Sequence, residues 1–230
     1  MMADIFSVFD DQNGTFLGLT MFVWTLSGLS LFLVLSKFWL SSSRLESLYF
    51  SVKGITQELI IRTKGKDLGG FNLMISSLFM MIIIFNLLGL IPYMFSITSH
   101  LVFSFCLALP LWLSLLLSSL KWNYYSFVAH FLPSGAPSAL NPFLVLVEMV
   151  SVSVRPITLS IRLTANMGAG HIVLTLVGGF MTTMIVSSSA VAPLLLFFVN
   201  AFYFIFEIAI CCIQGYIFSL LLMLYSDEHS

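Results

Sequence analysis

Charge is what this sequence has least of. Lysine, arginine, aspartate and glutamate make up 8% of its 230 residues, against about 25% in a soluble domain. Nine basic and ten acidic side chains leave a formal net charge of −1. That balance excludes a basic face for nucleic acid and an acidic tract. Cysteine is scarce too. Cys106, Cys211 and Cys212 sit in apolar runs at no metal-ligand spacing, so they read as buried thiols. The chain has no GxxxxGK(S/T) loop, no HExxH and no Cys/His cluster, so it offers no motif for catalysis and calls for no metal or cofactor. An internal repeat of the kind that builds secondary transporters is also missing. The opening residues, MMADIFSVFDD, are acidic where a signal or transit peptide is basic, so no cleaved targeting segment is expected. Asn13-Gly14-Thr15 matches a glycosylation acceptor, but such triplets are common by chance.

What is present is long apolar sequence. Hydrophobic residues make up 59% and the mean hydropathy is +1.05. The runs are long and do not alternate in period two, which predicts an all-α polytopic membrane protein rather than a barrel, as one membrane domain over 1–230. Residues 16–40 are long enough to span and close on Lys37, Phe38 and Trp39 as an interfacial anchor. Residues 41–70 differ, with Arg44, Glu46, Lys53, Glu58, Arg62, Lys64, Lys66 and Asp67. Leu45, Leu48, Val52, Ile55 and Leu59 recur at three and four, so this segment reads as an amphipathic interfacial helix, about 44–64, ended by the glycines from Gly65 to Gly70. Runs 71–95 and 101–120 form a transmembrane hairpin, followed by aromatic Trp122, Tyr124 and Tyr125 and a Pro/Gly/Ser connector over 131–142. Run 143–186 is about twice a perpendicular crossing, so it kinks, tilts strongly or returns; Pro156 lies inside it. Run 194–225 is also long, and SSSAVAP joins the two. The concentration of lysine and arginine in 41–70 and at Lys121 puts those segments and the C-terminus inside and the N-terminus outside.

Four charges lie within the last two runs: Glu148, Arg155, Arg162 and Glu207. Facing lipid, each costs about 3 kcal/mol at mid-membrane, so they must face each other, water or a partner. Glu148, Arg155 and Arg162 recur every seven residues, as do Asn200, Glu207 and Gln214. Two helices with such stripes can pack stripe towards stripe. His171 stands nine residues past Arg162, on another face or level. Each residue also has a plainer reading. A buried Arg–Glu pair can simply join two helices, Arg155 can snorkel, His171 can be a hydrogen-bonded core residue, and Asn200 and Gln214 can be interhelical glue. Their concentration in one region is what a purely structural bundle would not need.

The segment LSIRLTANMGAGH, 159–171, resembles the motif of subunit a of the F-type ATP synthase in its mitochondrially encoded form. FEIAICCIQGYIFSLLLMLYS in the last run and NLLGLIPY in the second extend the likeness to about two thirds of the chain. The resemblance implies one N-terminal membrane helix, one surface helix, a hairpin and two long tilted helices against a rotor ring, in the mitochondrial inner membrane. It implies a non-catalytic stator subunit with two offset proton half-channels. Arg162 stands at the essential arginine, and the pathway and coupling residues are Arg162, Glu148, His171, Glu207, Gln214, Asn166 and Asn200, with Arg155 and Asn86 in a lesser role. The implied partners are rotor-ring subunits with mid-membrane carboxylates, the peripheral stalk, other membrane-sector subunits, protons and lipid. An arginine keeps its proton, so Arg162 acts as a fixed charge and not as a relay. The rival readings are a polytopic respiratory-complex subunit or secondary transporter, and an inert scaffold.

Overall fold

The computed structural model describes residues 44–91, 95–132, 140–186 and 191–227, together with Phe9 and Thr25. The expected first span, 16–40, and most of the connector 131–142 lie outside the described residues. Six helices are described: α1 (Arg44–Ile61), α2 (Phe71–Gly89), α3 (Leu101–Trp122), α4 (Tyr124–His130), α5 (Asn141–Val186) and α6 (Val191–Asp227), with 3-10 turns at Lys64–Asp67 and Ile97–Ser99. The described residues contain no strand. Among them, α2, α3, α5 and α6 are long and apolar enough to cross a membrane. The chain is a polytopic all-α membrane protein.

Local chemistry accounts for where these helices start and stop. Gly70 precedes α2 with φ +82°, a left-handed conformation that glycine takes without cost, and it turns the chain from the 3-10 segment into the bundle. α2 stops at Gly89, well short of residue 95, ahead of Pro92. The apolar hairpin signal ran past this point because Leu90 and Ile91 remain apolar. α6 starts at Val191, earlier than residue 194, because Pro193 falls in the first helical turn, where no N–H partner is needed. Run 143–186 resolves into one continuous 46-residue helix that does not return, with Pro156 accommodated inside it.

α5 packs against α3 and α6, α2 packs against α6, and α1 lies on α2. The main core joins Ile60 of α1, Phe71, Ile75 and Ile82 of α2, Ala108 and Leu115 of α3, Leu159 and Leu163 of α5, and Phe218 and Leu222 of α6. The buried line of α1 is Thr56 and Ile60, whereas Ile55 of the expected leucine stripe points outward, 53% exposed. α5 and α6 run antiparallel. Arg155 meets Tyr225, Arg162 and Gln214 line one small cavity, Met167 meets Cys211, and Gly170 meets Glu207. At the foot of α6 the Lys64 backbone N–H donates to the Asp227 carboxylate at 2.6 Å, and Gly65 lies over Ser226. The basic segment and the C-terminal end of α6 therefore share one end of the bundle. On the outward sides of α5 and α6 large apolar residues are bare, among them Leu176 and Phe180, which lie within about 40° of Arg162 round α5, and Phe198, Phe202 and Ile205 of α6.

Candidate functional site

The polar residues of α5 and α6 fall into three levels along the bundle. The first lies near the end that carries the basic segment. Arg155 Nη2 stands 3.7 Å from Glu148 Oε1, and its guanidinium lies over the Tyr225 ring, 5.2 Å from the centroid. The two charged residues are seven apart on one helix, yet their long side chains span the gap. Glu148 and Arg155 therefore neutralise each other within α5, while Arg155 also reaches the Tyr225 ring on α6. Both line a cavity of about 70 Å³ together with Trp112, Ser119, Phe127, Val152 and Tyr225. Pro156 has no N–H, so it deprives the Val152 carbonyl of its helical donor, on the stretch of α5 that lines this cavity. The Glu148–Arg155 pair gives this otherwise largely apolar cavity charged groups that water can solvate.

The middle level holds Arg162. Its side chain is exposed on the bare flank, and it borders a small cavity with Leu159, Leu163, Gln214, Ile217 and Phe218. Gln214 is 7% exposed and supplies the polar group on the α6 side. Asn166, one turn along α5 from Arg162, is half-buried.

The third level is deeper and drier. Glu207 is 1% exposed, and its carboxylate lies directly on the α5 backbone at Gly170. A Cβ at residue 170 would collide with Oε1, Oε2 and the carboxyl carbon, so only glycine allows this approach. Tyr203 stands one turn before Glu207 on α6, so the two side chains are neighbours on one face of the helix. Glu207 Oε1 and His171 Nε2 are buried without a hydrogen-bond partner, as are Asn200 Oδ1, Thr98 Oγ1 and both side-chain polar atoms of Asn86. The His171 ring meets Phe9 edge-on at 6.2 Å. Asn86 and Thr98 are 0% exposed, and the Asn86 backbone carbonyl accepts from Cys211 Sγ at 3.8 Å. Orphaned polar atoms of this kind are expensive in a low dielectric unless water or a mobile proton satisfies them.

The two heptad stripes do not pack as wholes. Antiparallel running pairs 155 with 225, 162 with 214 and 170 with 207, so Arg162 with Gln214 is the one stripe-to-stripe match. Glu207 lies beyond Arg162, about 12 Å further along the α5 axis, and not opposite it. The sequence reading missed Gly170, Tyr203 and Thr98. Tyr203 precedes Glu207 by four residues, a spacing that could have flagged it. Gly170 carries no reactive group, and nothing local singles out Thr98.

Residues 15–227 match the family model described as "ATP synthase A chain". The chain is 39% identical to ATP synthase subunit a of Locusta migratoria over 233 residues, with 99% of each chain covered. It is 38% identical to the subunit of the same name from Artemia franciscana, covering 99% of this chain and 100% of that one. The Mytilus edulis protein is 38% identical, with both chains covered in full.

Proposed function

Because the chain belongs to the ATP synthase A chain family, we propose that it is the stationary, non-catalytic proton-conducting subunit of an ATP synthase membrane sector in the mitochondrial inner membrane. One observation carries this reading. Arg162 stands exposed on the bare flank of α5, with a polar level about 10 Å to one side along the axis and another about 12 Å to the other. Two polar zones that stop on either side of a fixed positive charge are what two offset half-channels need. The bare apolar flank is where a ring of small membrane subunits would run, each bringing one carboxyl into mid-membrane.

In this reading the proton steps follow from charge cost. A protonated ring carboxyl can face lipid, and an ionised one cannot. Arg162 favours ionisation of the carboxyl passing it, because opposite charges attract strongly where the dielectric is low. The proton released leaves through one zone, and the carboxylate is reprotonated from the other before it re-enters lipid. Glu207 and His171, with Tyr203, Asn200 and Asn86 around them, hand protons along the deeper zone. Glu148 and Arg155 line the mouth of the other. The Glu148 mouth lies at the end that holds the basic segment. With positive residues inside, it opens to the matrix, and the Glu207 zone opens to the opposite side. Gln214 and Asn166 orient the guanidinium. The partners are the rotor ring, the peripheral stalk, other membrane-sector subunits and lipid.

The test is Arg162→Ala in the whole complex, reconstituted into vesicles. The complex should assemble, yet proton-driven ATP synthesis should fall by roughly 10²-fold, the scale of losing one preorganised charge. Passive proton leak should rise. Arg162→Lys should fail nearly as badly, because lysine lacks the planar fork and sheds its proton when desolvated. Normal coupled synthesis in Arg162→Ala would refute the reading.

A further inference from the structure

α5 is 46 residues long, yet its buried positions form one narrow stripe, Pro156, Leu159, Ser160, Leu163, Met167 and Gly170. A helix seated on so narrow a line is weakly held against rotation about its own axis by van der Waals contact alone. Rotation matters here because Arg162 projects about 110° round the helix from that stripe, at its open edge beside Gln214. About 15° of turn moves a group roughly 8 Å from the axis by about 2 Å, and misplacement on that scale is enough to cost most of an electrostatic or proton-transfer step.

One contact opposes such a turn at the level of the arginine. Ser104 Oγ of α3 and Thr164 Oγ1 of α5 lie 2.7 Å apart. Ser104 is 0% exposed. Both hydroxyls have a second partner: Ser104 Oγ reaches the Leu101 carbonyl at 3.0 Å, and Thr164 Oγ1 reaches the Ser160 carbonyl at 3.1 Å. Each hydroxyl has one proton, so two closed chains are possible. Ser104 donates to Thr164, which donates to Ser160; or Thr164 donates to Ser104, which donates to Leu101. Either order satisfies both groups without water. Thr164 is two residues past Arg162, about 200° round the helix, so the pin and the guanidinium stand at opposite ends of one helix diameter. Holding Thr164 on α3 directs Arg162 away from α3 and out along the bare flank.

We infer that the Ser104–Thr164 hydrogen bond is a positioning contact that sets the azimuth of Arg162, so that these two hydroxyls act on coupling through the arginine. The inference rests on the function proposed above for Arg162. It differs from helix glue in what it predicts. Hydrogen bonds between membrane helices average too little stabilisation for one to decide assembly, whereas an arginine turned off its target loses function directly.

The experiment compares Thr164→Val, Ser104→Ala, the double variant, Thr164→Ser and Arg162→Ala as whole complexes in vesicles. Assembly is read on native gels, ATP synthesis under an imposed proton gradient, and passive proton leak without nucleotide. Thr164→Val and Ser104→Ala should assemble normally, lose threefold to tenfold in synthesis and leak more. The double variant should be no worse than either single change, because both break one bond. Thr164→Ser keeps the hydroxyl and should recover most of the synthesis rate. Wild-type synthesis and leak in both single variants would overturn the proposal, as would additive losses or a parallel loss of assembly in Ser104→Ala and Thr164→Ser. Arg162→Ala separates the two claims. If it abolishes synthesis while the hydroxyl variants do not, the positioning role alone is wrong; if it spares synthesis, the function proposed for Arg162 is wrong.

Discussion

The two polar zones flanking Arg162 are built on opposite principles. The Glu148–Arg155 zone carries full charges, but they are paired, half-exposed and set on a cavity wall. The Glu207–His171 zone carries fewer charges, with Glu207 buried nearly completely and His171 partly, and with acceptors that have no partner. The first solves the expense of charge in a membrane by neutralisation and access to water. The second leaves the expense unresolved, and a group kept in that condition is one that gains most from binding a proton. The difference suggests that the paired zone is a mouth and the unpaired zone a relay, with Arg162 isolating one from the other.

The sharpest way to break this contrast is at Gly170. Gly170→Val puts side-chain atoms where the Glu207 carboxylate now lies and forces α6 away from α5. Proton-driven synthesis should drop at least tenfold, and measured passive flux through the complex should fall with it. Next in size is Glu207→Gln, which preserves shape but cannot titrate. Synthesis should fall by roughly tenfold, less than the roughly 10²–10⁴-fold of a sole general acid or base because neighbouring polar groups still pass protons, and the remaining activity should no longer share the wild-type pH profile; an unchanged profile would remove Glu207 from the relay. Glu148→Gln should cost less, about twofold to threefold, because Arg155 keeps its seat over Tyr225 and the cavity stays polar. A loss as large as that of Glu207→Gln would erase the distinction between mouth and relay. The smallest effect belongs to Tyr203→Phe. It removes the hydroxyl that stands one turn from the Glu207 carboxylate and leaves the ring in place. The midpoint of the activity–pH curve should shift while the maximal rate changes less than twofold.

Much of this was legible in the sequence for one reason: charge in an apolar run is costly, so its presence announces a site. Arg162, Glu148, Glu207 and His171 stand out on that ground alone, and the length of α5 and α6 is written in unbroken hydropathy. The offset between the helices was not legible. Which residue of α6 meets Arg162 depends on the turn between them and on the crossing, and heptad spacing cannot report either. Hence Glu207 was expected beside the arginine stripe but lies at Gly170. Small or neutral partners were equally silent. Ser104 and Thr98 are ordinary hydroxyls in sequence, and only burial at 0% exposure and their partners, or lack of them, give them meaning. The end of α2 escaped notice because Gly89 interrupts a run that stays apolar beyond it.

The central claim is that water enters the two zones from opposite faces of the membrane and that neither path passes Arg162. Side-resolved thiol labelling tests it most directly. Cys106, Cys211 and Cys212 are first replaced, and single cysteines are then placed at Val152, on the cavity wall, and at Asn200, in the deeper zone. A small membrane-impermeant thiol reagent should label Val152→Cys from the side that carries the basic segment and Asn200→Cys from the other side. Labelling of both positions from one side would contradict the account.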